Sequence, residues 1–403
     1  MQTSNRISFI DYLKIFLSFT VIAHHAGQPY GGSDGFWYVM DKGVHSDLGP
    51  FFGINSAFNM SLYFLISAYF IPKAFEKKGS FGFLKDRLQR IGVPLLFGFL
   101  VLIPSMMYFY YMNFRGYEPL SFFEYYKTIY LGFSEEPLDW TGPTWPDLNF
   151  GHLWFIEHLL IYSLLYIGLR GVAKRLSFPN INFKATHIQI LIFILFVSGF
   201  TFFIRIWHQI DEWTGAFGFI QIEYAHLPQY MGYVVLGIIA AKNKWIHQIP
   251  KSVGRTWLSI GILLILLNCI GLIPHSKGGL NEDALIYAIY ETMLCTGLSI
   301  GLLELFHWKF RQSSKLIQKL AGNTYCVYII HIPVLMVIQF ILVNVAISGY
   351  IKFALAIILG LLLSHLIAYF IVRKIPIISL LFSGSNRRFT APKVIKQKEE
   401  LVK

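Results

Sequence analysis

The chain has 403 residues, 55% of them hydrophobic and 17% aromatic, with 14% charged and a positive mean hydropathy. A soluble domain carries about 25% charged residues, so this composition excludes a soluble fold of any size and gives a polytopic membrane protein in a lipid bilayer. The formal charge of +12 could suggest nucleic acid, but the basic residues fall in short loops between apolar runs, so no nucleic-acid partner is expected.

The first apolar run, 7–25, reads ISFIDYLKIFLSFTVIAHH. It is long enough to cross a bilayer, since about 20 apolar residues span the hydrocarbon. It nevertheless carries Asp11, Lys14, His24 and His25. At about 100° per residue, Asp11, Lys14, Ser18 and His25 share one stripe of a helix, while His24 points roughly 100° away from His25. Ionisable groups in hydrocarbon are costly unless paired or facing a wet cavity. The stripe therefore predicts a polar, solvated path through the membrane interior. The same charges, and the lack of a small-residue cleavage site just after the run, argue against a cleaved signal peptide.

Nine more spans follow, at 56–72, 91–112, 152–169, 187–206, 226–241, 256–273, 284–306, 323–344 and 351–372. The fold class is thus all-α, a bundle of about ten transmembrane helices. With the N-terminus in the cytoplasm, the inside segments hold 27 of the 34 Lys and Arg residues. The outside loops carry acids such as Asp41, Asp47, Glu118, Asp139 and Asp147. This asymmetry predicts both termini in the cytoplasm. The sixth span is short and broken by Pro228 and glycines, but the loop charges require it. Residues 1–384 form the membrane domain. Residues 385–403 form a basic tail, expected to be disordered or to lie against anionic headgroups. Cys269, Cys295 and Cys326 all fall in apolar spans, which argues against a disulfide framework or a zinc site. No metal is expected, because the histidines lack the close pairing of a zinc helix.

Several stretches carry candidate chemistry. His25 lies near the outer boundary and can act as a general base in its neutral form. Asp11 and Lys14 lie in the inner half and can pair on one turn. The outside loop 113–151 is the longest and contains EEPLDWTGPTWPDLNFGH. Its Trp140 and Trp145 suit stacking on sugar rings, although a solvated connector with interfacial aromatics reads equally naturally. The run His152-Leu-Trp-Phe-Ile-Glu-His158 opens the fourth span. Glu157 there falls at the depth of His25 and is a candidate to orient a histidine. Trp154 is a candidate sugar platform and His158 its neighbour. Arg205, His226 and Glu291 fall at a similar depth and could line the same cavity. In the ninth span, Asn323, Tyr325, Tyr328 and His331 form a polar cluster, with Tyr328 and His331 close enough to touch.

Five stretches, in order, resemble the acyltransferase 3 family of integral membrane acyltransferases. Lys14 and His25, with ten residues between them, are similar to that family's Arg-(ten residues)-His. Phe64–Phe70, Phe83–Ile91, Gly151–Phe155 and Gly322–Pro333 resemble its second-span, basic, HLWF-type and SYxxYLxHxP-type stretches. The departures are Lys14 for arginine, Asp86 for an arginine and Ala68 for glycine; lysine keeps the charge but loses the bidentate fork. The resemblance implies an O-acyltransferase that takes an acyl group from a coenzyme A thioester. Acetyl is the first choice and acetyl-CoA the expected co-substrate; succinyl is the second, because HLWFIEH and the long loop resemble the branch that succinylates periplasmic glucans. Arg87, Arg90 and Lys85 would hold the donor's phosphates. Tyr328 and His331 would line a channel for its arm. His25, or as second choice His24, would be the general base, with Lys14 and Asp11 supporting it. The acceptor would be a cell-surface or periplasmic carbohydrate at a cell membrane. The rival reading is an exporter of glycan or lipid-linked sugar that makes no bond. Nothing in the sequence fixes the oligomeric state.

Overall fold

The computed structural model describes residues 7–31, 36–141, 144–173, 184–216 and 220–384. Among them, eight helices are long and apolar enough to cross a membrane. Two further helices, α1 (Ser8–Gly27) and the 17-residue α6 (Leu227–Asn243), complete ten. Charge in α1 and brevity in α6 set these two apart, and both pack within the bundle. The remaining helices are α2 (Gly49–Tyr69), α3 (Ile71–Phe114), α4 (Gly151–Val172), α5 (His187–Arg205), α7 (Lys251–Cys269), α8 (Glu282–Lys309), α9 (Lys315–Val343) and α10 (Gly349–Val372). The chain is thus an all-α polytopic membrane protein. Its near end is where α1 starts, and its far end is where α1 finishes. The basic tail from 385 lies outside the described residues.

α1 packs against α2, α8, α9 and α10, so the charged stripe faces protein. Small residues let the helices approach, as membrane packing favours. Gly297 and Gly301 of α8 form a G-x-x-x-G step against α7; a Cβ at Gly297 would stand 2.7 Å from the Trp257 carbonyl oxygen. Gly237 of α6 lies against the Leu65 carbonyl of α2 in the same way.

Three features depart from the sequence expectation. The basic stretch 73–90 is a continuation of helix α3, not a loop. Gly79, at φ 68°, breaks the helix near its start, a conformation that glycine adopts without a Cβ penalty. Wide π turns at Leu88–Gly92 and Gly98–Leu102 accompany Pro94 and Pro104, whose missing N–H groups leave carbonyls without helical partners. The segment 206–226 contains a two-stranded hairpin, β1 (Trp213–Ala216) and β2 (Ile220–Glu223), in a chain expected to be all helix.

The third departure is the long far-end segment after α3. It folds around a buried ion pair. Arg115 donates two hydrogen bonds, of 2.7 and 2.8 Å, to the Asp147 carboxylate, and neither side chain is exposed. The Tyr125 hydroxyl donates to the same carboxylate at 2.6 Å. The Trp140 ring carries the Arg115 guanidinium 4.2 Å from its centre and stacks on Tyr117; Trp145 meets it edge-on. The two tryptophans expected as sugar platforms are therefore built into the support of this pair.

Breaking one side of a buried pair leaves an uncompensated charge and costs about 3–5 kcal/mol. Asp147→Asn is expected to lower the thermal midpoint of the purified protein by several degrees. A midpoint equal to wild type would mean that the pair does not hold this segment.

Candidate active site

The last turn of α1 brings His25 against α9. His25 Nδ1 lies 2.9 Å from His331 Nε2. His331 Nδ1 lies 2.6 Å from the Tyr328 carbonyl oxygen. A carbonyl can only accept, so His331 Nδ1 carries the proton and its Nε2, in the neutral ring, bears a lone pair. His25 must then donate from Nδ1. The lone pair of His25 consequently sits on Nε2, the nitrogen not engaged by α9. Directional bonds thus fix which atom of His25 can take a proton.

Three residues that sequence reasoning did not assign complete this centre. Trp37 lies over His25, rings nearly parallel at 11° with centres 5.4 Å apart. Its indole N–H donates to Gln339 Oε1 at 2.9 Å. Gln339 Nε2 donates in turn to the carbonyls of His25 and Ala26, at 2.9 and 3.2 Å. His152 sets its ring 5.4 Å from that of His331 and donates from Nε2 to the Ile329 carbonyl at 3.0 Å. Its Nδ1 is buried without a hydrogen-bond partner. The Tyr328 hydroxyl donates to the His152 carbonyl, which ties α9 to the start of α4. Gln339 had a sequence signal: it is the lone polar side chain between Pro333 and Val343. Trp37 had none, because it lies in a far-end loop among other aromatics.

Some expected residues fall elsewhere. His24 points toward α2 and meets Phe52 edge-on at 4.8 Å. Lys14 lies 11 residues before His25, about 16 Å along the helix, and Asp11 about 21 Å. Neither side chain therefore lies at the His25 level. The Lys14 ammonium lies 5.3 Å from the Phe70 ring centre. Tyr63 donates to the Lys14 carbonyl at 3.2 Å and neighbours Ser18. Tyr63 packs on Phe155, and Phe155 on Tyr328. A column of polar and aromatic groups therefore joins the Lys14 level to the His25 level. The expected solvated path is, over His25, covered by Trp37.

Glu157 does not serve a histidine as its sequence position suggested. It is buried near the Gln221 backbone of β2, and among the described residues it makes no ion pair. One turn earlier on α4, Trp154 sits in an aromatic enclosure. Trp154 packs with His158, Trp213 and Tyr230 at 5.3–5.5 Å between ring centres. His158 donates from Nδ1 to the Trp154 carbonyl at 2.9 Å. Arg205, His226 and Glu291 form a network of their own. Arg205 pairs with Glu291, whose other oxygen lies 2.8 Å from His226 Nε2. Glu223 of β2 lies 2.7 Å from His226 Nδ1. Burial pushes the Glu223 carboxyl up, but the His226 and Arg205 charges and the Asp211 amide bring it below the ordinary carboxylate range. The network anchors the hairpin rather than extending the His25 centre.

At the near end, the basic stretch curls under α9. The Tyr325 hydroxyl donates to the Arg90 carbonyl at 3.0 Å. Arg90 is exposed, and its side chain is held by Asp86 at 2.8 Å. Lys78 shares that carboxylate at 2.6 Å. Arg87 lies over the Phe83 ring at 4.7 Å, beside Tyr325, and its buried Nε has no hydrogen-bond partner. Arg373 donates to the Gly322 carbonyl one turn below Tyr325. Lys85 is exposed. Among the described residues, no three His, Cys, Asp or Glu side chains converge where a metal ion could sit.

The model of the acyltransferase domain family, Acyl_transf_3, matches residues 7–373. The chain belongs to that family. Curated relatives named glucans biosynthesis protein C, from Salmonella schwarzengrund (strain CVM19633) and Salmonella typhi, are 24% identical to it over 391 residues. The alignments cover 93% of this chain and 94% of each relative. No solved structure matches the chain. This family member is therefore a multi-pass membrane acyltransferase, and its reaction uses an acyl donor.

Proposed function

We propose that the protein transfers an acyl group, acetyl in the first instance, from a coenzyme A thioester to a hydroxyl of an extracytoplasmic carbohydrate. His25 acts as general base. The observation that carries this reading is the directional chain from the Tyr328 carbonyl through His331 to His25, which leaves His25 Nε2 as the proton acceptor. His24 lacks such a chain and faces α2. In the reaction, Nε2 takes the acceptor's hydroxyl proton as the oxygen attacks the thioester carbonyl. The C–S bond then breaks, and the imidazolium returns its proton to the departing thiolate. The N-terminus and the near end face the cytoplasm of a cell membrane, where the donor enters.

The name of the relatives, glucans biosynthesis protein C, favours a glucan acceptor and keeps succinyl as the alternative acyl group. The Trp154, His158, Trp213 and Tyr230 enclosure, with Glu157 beside it, supports a sugar-binding role for α4 and the hairpin, because ring faces stack on pyranose faces. Arg87 is the better placed donor ligand of the two arginines, since Asp86 already neutralises Arg90. Lys14 and Asp11 act on the path of the donor's arm, beside Tyr63 and Tyr328. The exporter reading has less support, because a base with a fixed tautomer has no task in moving an unchanged sugar.

His25→Ala is expected to lower acyl transfer by about 100-fold or more, the usual scale for a lost general base. Mass spectrometry of surface glycans from cells carrying each variant reads this directly. Acylation that persists in His25→Ala would remove the base assignment, and purified protein that never consumes acetyl-CoA or succinyl-CoA would favour the exporter. For the donor, Arg87→Ala is expected to weaken binding of acetyl-CoA about tenfold, and Arg90→Ala much less. Equal affinities in both variants and wild type would place the phosphates elsewhere.

A further inference from the structure

A base that takes a proton becomes a cation, and in hydrolases with a similar task a carboxylate offsets that charge. Here the titratable groups facing His25, among the described residues, are His24 on its own helix, His331 on α9 and His152 at the start of α4. None is an anion. The carboxylates on neighbouring elements are engaged elsewhere. Asp41, in the loop that follows Trp37, is buried against Lys352 of α10 at 2.6 Å. Glu157 faces the hairpin, and Asp11 lies more than three turns down α1. The group that does cover the His25 ring is an indole face.

We propose that Trp37 supplies the stabilisation a carboxylate gives elsewhere: its π face holds the His25 imidazolium that forms as the acceptor hydroxyl loses its proton. The parallel rings, with centres 5.4 Å apart, are within the roughly 6 Å over which a cation is attracted to an indole. The reach is maintained from two sides. Gln339, fully buried, accepts from the Trp37 indole N–H while donating to the His25 and Ala26 carbonyls. Only a carboxamide accepts and donates at once in this way, so neither Glu nor Leu replaces it. Further along the same loop, the Lys352 ammonium binds Asp41 and donates to the Val343 carbonyl at 3.2 Å. That bond pins the loop to the far ends of α9 and α10. Trp37 is a positioning residue acting through His25. The proton it helps to accommodate arrives on Nε2 from the hydroxyl and leaves to the thiolate, so the ring ends the cycle neutral.

The inference rests on His25 being the base, but its test does not need acyl transfer. The full-length protein, labelled with 15N-histidine and held in lipid nanodiscs, is titrated by NMR. Its 13 histidines are sorted by the resonance lost in His25→Gln. Trp37→Leu is expected to move the His25 midpoint down by about one pH unit, a tenfold loss of preference for the charged ring, and Trp37→Phe by less. Gln339→Leu moves it the same way. Because Leu could disturb the fold, Trp37 is also replaced by tryptophans carrying one to three fluorines, which keep the shape and drain the π face. A midpoint that falls stepwise with fluorination supports the proposal, and one that is flat across that series overturns it. If instead His25→Ala retains acyl transfer while the fluorine series is graded, the base assignment fails and the stacking effect stands.

Discussion

The hydrogen bond between His25 and His331 is the contact around which the candidate site is built. It joins the first and ninth spanning helices at one level, and it has a direction. That direction is imposed by a backbone carbonyl, the most rigid acceptor a helix offers. Helix packing fixes the position of the two rings, and the Tyr328 carbonyl fixes their protons. His25 thus owes the position of its lone pair to His331 and the Tyr328 carbonyl.

Around that contact the fold reads as a set of braces. Glycine steps in α6 and α8 let neighbouring helices close up on one side of the bundle. At the far end, the Arg115–Asp147 pair, the Lys352–Asp41 pair and the Arg205–His226–Glu291 network each bury charge that is satisfied within a few ångströms. Such pairs contribute little net stability compared with apolar packing, but they tolerate no alternative arrangement once buried. They fall beside three far-end segments: the loop with Trp37, the segment with Trp140, and the hairpin against Trp154. Charge is used here to fix the far-end loops.

Much of this was legible in the sequence, and the limits have physical causes. The ten spans followed from apolar runs and loop charges, including α6, which is too short to be found by length alone. His25 and His331 were both singled out, since an ionisable group in hydrocarbon requires a reason. Their mutual contact was not, because periodicity gives the face of one helix but not its neighbour. Glu157 was misassigned for the same reason: equal depth does not mean equal azimuth. The hairpin escaped because a four-residue strand has no periodicity to detect. Trp37 escaped because loops carry no register at all.

The bonds from the Tyr328 carbonyl through His331 place the proton of neutral His25 on Nδ1 and its lone pair on Nε2. The 15N shifts and long-range proton couplings of its imidazole ring report that tautomer directly in the purified protein at a pH where the ring is neutral. A protonated Nδ1 and an unprotonated Nε2 are expected; a ring with its proton on Nε2 would contradict the directional chain through His331.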